Sequence, residues 1–155
     1  MRVGLGFDVH PTDPERPLRL GGVGFADAPG LAGHSDADVV CHAVADALLG
    51  GAAVGDLGQH FPDTDPAIAG IDGLELLGRA VGIVRDAGLA ASSCDLTVIA
   101  DLPSVAPHRD EIRENLARVL GVDVTAVSVK ATRPEGLGLR GDGIGCMAVV
   151  TLAES

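Results

Sequence analysis

Residues 2 to 10, RVGLGFDVH, alternate strictly, with Val3, Leu5, Phe7 and Val9 on one side and Gly4, Gly6, Asp8 and His10 on the other. A period of two is that of a strand, so Asp8 and His10 point the same way. After a Pro-rich stretch, LRLGGV (18 to 23) reads as a short strand. The period then changes: in SDADVVCHAVADALLGG (35 to 51), Val40, Ala43, Val44, Ala47 and Leu48 recur as the buried stripe of a helix. Ser35 with Asp38 reads as a capping box opening that helix, and Gly50 with Gly51 as its end. Asp38, His42 and Asp46 fall on its opposite face. GDLGQHFPDTDP (55 to 66) is punctuated by Gly and Pro and reads as an irregular loop. Beyond it the pattern predicts helices over 73–87 and 108–121 and strands over 94–100, 127–132 and 146–153. This order predicts an α/β fold of the two-layer α+β kind: a single domain over residues 1–155, three helices packed on one face of a four- to five-stranded sheet.

Composition narrows what such a domain does. At 155 residues, with no internal repeat or linker, the chain suits one core. No apolar run approaches the roughly 20 residues that span a bilayer, and no basic-then-apolar leader pattern opens the chain, so the expected location is cytoplasmic. The net charge of −11 argues against nucleic acid or an anionic membrane as partner, and the absence of Trp and Tyr removes a stacking platform for single strands. An acidic chain whose only lysine is Lys130 must neutralise an anionic ligand locally, by a metal, backbone N–H groups or a few placed cations. Cys41, Cys94 and Cys146 form no CxxC pair and read as small core residues.

The candidate chemistry sits in four places. Asp8, His10 and His42 supply one carboxylate and two imidazoles, the donor set of an open zinc site with a fourth position free. A strand-end Asp beside two unrelated histidines is the plainer reading of the same spacing. Asp38 and Asp46 lie one turn either side of His42, so either suits its second ring N–H, while a cap and a solvated face are their ordinary roles. His34 and Ser35 precede the helix, where free N–H groups and a hydroxyl suit a phosphate, although Ser35 also suffices as a cap. Asp56, Asp63 and Asp65 suit a polyol's hydroxyls or a hard cation such as magnesium, or plain turn chemistry. GLGLRG (136 to 141) matches the dinucleotide fingerprint but runs into a strand instead of a helix, so that reading is rejected.

Taken together, GFDVH (6–10), HSDADV (34–39), GD-L-G (55–58), FPDTDP (61–66) and KAT…E (130–135) resemble the 2-C-methyl-D-erythritol 2,4-cyclodiphosphate synthase family nearly end to end. The resemblance implies a zinc ion on Asp8, His10 and His42, a magnesium or manganese ion on Glu135, and a homotrimer with active sites between subunits. It implies a cytidine diphosphate substrate, 4-diphosphocytidyl-2-C-methyl-D-erythritol 2-phosphate, whose 2-phosphate attacks the β-phosphorus and expels CMP. By the same resemblance His34 and Ser35 steady the phosphate under attack, and Asp8, Val9 and His10 line that end. Asp56, Leu57 and Gly58, with Phe61, Pro62, Asp63, Thr64 and Asp65, hold the methylerythritol. Ala100, Asp101, Leu102, Pro103, Ser104, Val105 and Ala106, with Ala131 and Thr132, form the cytidine pocket.

Three departures accompany the likeness. Arg133 stands where the family has a second Thr with a transition-state role, so the catalytic assignment there, beside His34, falls on an arginine. Ser104 stands where a Lys is common. Arg140 and Asp142 match the family's Arg-Gly-acid triplet only across a gap, Arg140 being the anion-binding member. Two alternatives remain from the residues alone: a hydrolase using zinc-bound water with Asp56 as base, and a non-catalytic trimer with structural zinc. Three protein ligands instead of four disfavour the second.

Overall fold

Gly21 and Gly22 both take positive φ, 59° and 77°, the twist that a two-residue hairpin turn requires. In the computed structural model, which describes residues 1–138 and 142–155, they join two long strands, β1 (Arg2–Leu20) and β2 (Val23–Leu31). The short strand expected over 18–23 is thus the tip of a hairpin, and pairing continues through the Pro-rich stretch. That is possible because this pair lies at the sheet edge, where proline's missing N–H is tolerated.

The remaining elements are α1 (Val39–Ala52), a one-turn α2 (Leu57–His60), α3 (Gly73–Asp86), β3 (Leu89–Ile99), α4 (Arg109–Leu120), β4 (Val127–Thr132) and β5 (Gly143–Glu154). The five strands run β2-β1-β5-β3-β4, antiparallel except for β3 with β4. Cys94, Leu96 and Val98 of β3, Val127 and Val129 of β4, and Cys146, Ala148, Val150 and Leu152 of β5 are buried on the helix-covered face. The fold is a single α+β domain, as the order of elements predicts.

Helix α1 is the centre of the core, with every residue but Asp46 and Gly50 buried. Its closeness to the sheet comes from glycines. A Cβ at Gly4 would lie 1.8 Å from the Ala47 carbonyl oxygen, and one at Gly6 1.9 Å from that of Ala43. Two strand residues rise about 6.6 Å and one helical turn about 5.4 Å, so Gly4 and Gly6 meet successive turns. One step further along β1, Asp8 comes level with the first turn of α1.

Three local expectations are corrected. The capping box of Ser35 with Asp38 does not form. Asp38 is itself the N-cap, and its carboxylate accepts from Cys41 N–H at 3.1 Å and from the hairpin N–H groups of Gly21 at 2.8 Å and Gly22 at 2.7 Å. The helix does not stop at Gly50–Gly51 but runs to Ala52, with Ala53 as left-handed cap; a Cβ on Gly51 would come within 3.0 Å of Gly4 N, so that glycine serves packing. The loop at 55–66 contains α2, nucleated by a capping box between Asp56 and Gln59.

Candidate functional site

The close contact of β1 with α1 brings three ligand atoms together. Asp8 Oδ2 lies 2.8 Å from His10 Nε2 and 3.1 Å from His42 Nδ1, and the two ring nitrogens are 3.3 Å apart. All three fall within 4.8 Å of one another. Tetrahedral zinc bonds of about 2.0–2.1 Å demand ligand-to-ligand edges of about 3.3–3.4 Å, so small outward shifts accommodate an ion. The donor set, one carboxylate and two imidazoles, fits a metal with one position open.

The outer ring nitrogens are already engaged. His10 Nδ1–H donates to the Ala32 carbonyl at 2.7 Å, which leaves Nε2 facing Asp8. His42 Nε2 meets Ser35 Oγ at 2.9 Å, which leaves Nδ1 facing the same point. These contacts correct the expectation that Asp38 or Asp46 supports His42. Asp38 is spent on backbone N–H groups, and Asp46 accepts from Leu57 N–H at 3.1 Å, tying α2 to α1. Helical spacing put them on the right face but could not show that the loop at 32–35 folds over both rings.

Burial pushes the Asp8 carboxyl up, yet hydrogen bonds from His10 and His42 outweigh it and hold the group well below the usual carboxylate range. Burial lowers His10, but the hydrogen bond and charge of Asp8 win, raising it above the ordinary 6.5. Bringing one anion against two imidazoles favours a cation between them, the direction in which both groups are shifted.

The cluster lies in the wall of a cleft of about 220 Å³, which His34, Ser35, Leu57, Gly58, Phe61 and Asp63 also line. Ile68 and Leu76 complete it, and neither carried a sequence signal beyond hydrophobicity. His34 Nε2 approaches the Asp65 carbonyl at 3.4 Å. The carboxylates of Asp56 and Asp65 cap α2 and the 66–68 turn. Asp56, Pro62, Thr64 and Asp65 do not line this cleft. The Val9 side chain points to the far face of the sheet, 44% exposed, so only its backbone faces this side.

A second pocket, of about 270 Å³, is lined by residues 100–106, Ala131, Thr132 and Arg133, at the ends of β3 and β4. Arg109, on the first turn of α4, joins them, a cation sequence reading missed because it reads as an ordinary helix-surface residue. The two pockets share no lining residue. Glu135 is exposed, with φ of 52°, and lines neither. Arg140 lies outside the described residues. Among the described residues no helix is long and apolar enough to cross a membrane.

A two-layer α+β domain whose cleft wall carries an Asp-His-His group that could hold a metal ion defines the class. The family model described as the YgbB family matches residues 1–153, and the chain belongs to that family. It is 53% identical over 154 residues to 2-C-methyl-D-erythritol 2,4-cyclodiphosphate synthase of Trichlorobacter lovleyi, covering 98% of each chain. Among solved structures it resembles a CDP-bound form of 2C-methyl-D-erythritol-2,4-cyclodiphosphate synthase, with a TM-score of 0.91 and 33% identity over 98% of this chain and 100% of that one. It also resembles the bifunctional IspDF of Campylobacter jejuni, with a TM-score of 0.93 and 37% identity, spanning 99% of this chain but 42% of that one.

Proposed function

We propose that this chain cyclises 4-diphosphocytidyl-2-C-methyl-D-erythritol 2-phosphate, with the Asp8-His10-His42 cleft holding the reacting phosphates and the Ala100–Ala106 pocket holding cytidine. It is a CMP-releasing, cyclising phosphorus-oxygen lyase of the non-mevalonate isoprenoid pathway; the observation that carries this is the match to synthases along nearly the whole chain. In the reaction a 2-phosphate oxygen bonds to the β-phosphorus as the bond from that phosphorus to the bridging oxygen breaks, and CMP leaves with that oxygen. No water and no protein nucleophile is consumed, so positioning and charge neutralisation are the chain's task.

When bound, zinc on Asp8, His10 and His42 and magnesium or manganese on Glu135 supply Lewis-acid polarisation and a template for the phosphates. One carboxylate suffices for the second ion, because magnesium commonly takes its remaining ligands from water and substrate phosphates. Ser35 Oγ accepts from Ala37 N–H at 3.2 Å and, with the metal on Nδ1, from His42 Nε2–H. Both lone pairs are then used, and the hydroxyl proton is left to donate to a phosphate oxygen. His34, beside it on the cleft wall, holds the phosphate under attack, and Asp63 and the backbone of Leu57 and Gly58 grip the methylerythritol hydroxyls. Arg133 supplies a positive charge at the nucleotide end in place of a hydroxyl, and Arg109 adds another on the same pocket.

The substrate contacts two pockets that share no wall, which supports a homotrimer in which neighbouring subunits bring one pocket to the other. The uncovered face of β1 and β5 supports the same assembly: Leu5 is 63% and Phe7 51% exposed, beside Val3, Val9, Met147 and Val149. An apolar patch of this kind on a soluble chain marks an interface.

Phosphorus NMR of the zinc-loaded protein with substrate and magnesium tests the reading, run beside His42→Ala. Cyclic diphosphate and CMP, absent in the variant, are expected. Inorganic phosphate would indicate a hydrolase, and an unchanged spectrum with bound substrate would point to Arg133 as the block.

A further inference from the structure

Residues 14–16 have no opposite partner in the β1–β2 pair, because Asp13 faces Gly30 while Pro17 faces Pro29. Bulges of this kind re-aim a side chain out of the ladder. The side chain re-aimed here is Arg16. One guanidinium nitrogen donates to the Gly33 carbonyl at 2.6 Å and another to the Ser35 carbonyl. The segment so held touches both histidines, through the Ala32 carbonyl on His10 Nδ1 and Ser35 Oγ on His42 Nε2. Gly33 packs against the His10 ring, where a Cβ would lie 3.1 Å from Cε1.

We infer that Arg16 is a positioning residue of the Asp8-His10-His42 centre: its two-pronged grip on the carbonyls flanking His34 fixes the loop that sets which nitrogen of each histidine faces the metal. This rests on the reading of that cluster as a metal site. A planar guanidinium suits the task, since one group spans two acceptors in a fixed fork, which an ammonium does not. Arg16 donates to the Gly33 and Ser35 carbonyls of this loop, and its charge also reaches His10, where it opposes protonation.

Charge and positioning predict opposite signs, which makes the inference testable. A cation close to a divalent ion repels it, so if Arg16 acted only by charge, removing it would tighten metal binding. If it positions the loop, Arg16→Met weakens zinc binding roughly tenfold, the scale on which partners of metal ligands act. Arg16→Lys, which keeps the charge and loses the fork, weakens it similarly. Zinc affinities are read by chelator competition at one fixed alkaline pH, beside nitrogen-15 spectra of the histidine rings in the metal-free proteins at the same pH. The spectra are expected to show one tautomer per ring in the parent and mixed tautomers in both variants. Unchanged or tighter zinc binding in Arg16→Met, parental affinity in Arg16→Lys, or unaltered ring tautomers would each overturn the inference. Should the parent itself take up no zinc, the metal reading falls, and the ring spectra alone decide whether Arg16 holds the loop.

Discussion

Asp8 makes the site, because its single oxygen Oδ2 faces both ring nitrogens. Asp8→Ala or His42→Ala leaves two of three ligands, and at least a hundredfold loss of zinc affinity with loss of turnover is expected, checked by metal analysis after dialysis and by CMP release. The pH dependence has two opposite parts. His10 has a raised pKa in the metal-free fold, so its contribution to folding is complete below 6.5 and is lost as pH rises through the raised value. Metal binding must expel that proton, so zinc affinity is constant above the raised value and falls about tenfold per pH unit below it. Zinc titrations between pH 6 and pH 9 read this directly. The cysteines follow burial instead: Cys94 is pushed up to about 12, and burial raises Cys41 and Cys146 as well. None of the three is expected to react with a thiol reagent at pH 8 until the protein is unfolded in urea.

At the scale of elements, the contact of β1 with α1 governs the site. Gly6→Ala would drive a methyl into the Ala43 carbonyl, and the separation needed costs roughly 3 kcal/mol or more, measured by urea unfolding of the metal-free protein. Because Asp8 and His42 stand on these two elements, zinc affinity should fall in the same variant. Periodicity located both elements, since alternation and a 3.6-residue stripe are local properties of the chain. It misjudged their ends, because those depend on distant partners: Asp38 caps α1 while also binding the hairpin turn at Gly21 and Gly22. α2 was missed for a different reason. Its capping box was present in the residues, but one turn among glycines and prolines carries too little periodicity to read.

For the whole molecule, the two pockets and the bare face of β1 and β5 belong to one problem. Phe7→Glu places a charge in the middle of that face, opposite Met147, without touching the Asp8-His10-His42 group on the other side of the sheet. Sedimentation equilibrium should show a trimer for the parent and mainly monomer for the variant, with turnover lost and zinc affinity kept. A variant that stays trimeric and active would place the interface elsewhere.

Apart from the second hairpin strand and α2, the order of strands and helices was legible in the sequence, as were the shared side of Asp8 and His10, the helical place of His42 and the likeness to a synthase family, because each is a matter of local spacing or of short motifs. The tertiary structure decided the rest. It showed that the glycine side of β1 lies inward and the apolar side outward, since only close backbone approach makes glycine the better buried residue. It assigned the partners of the histidines to Ala32 and Ser35 instead of Asp38 and Asp46. It brought Arg109 to the second pocket and Arg16 onto the 33–35 loop. Those are contacts between segments far apart in the chain, and no periodicity within one segment encodes where a loop from another will come to rest.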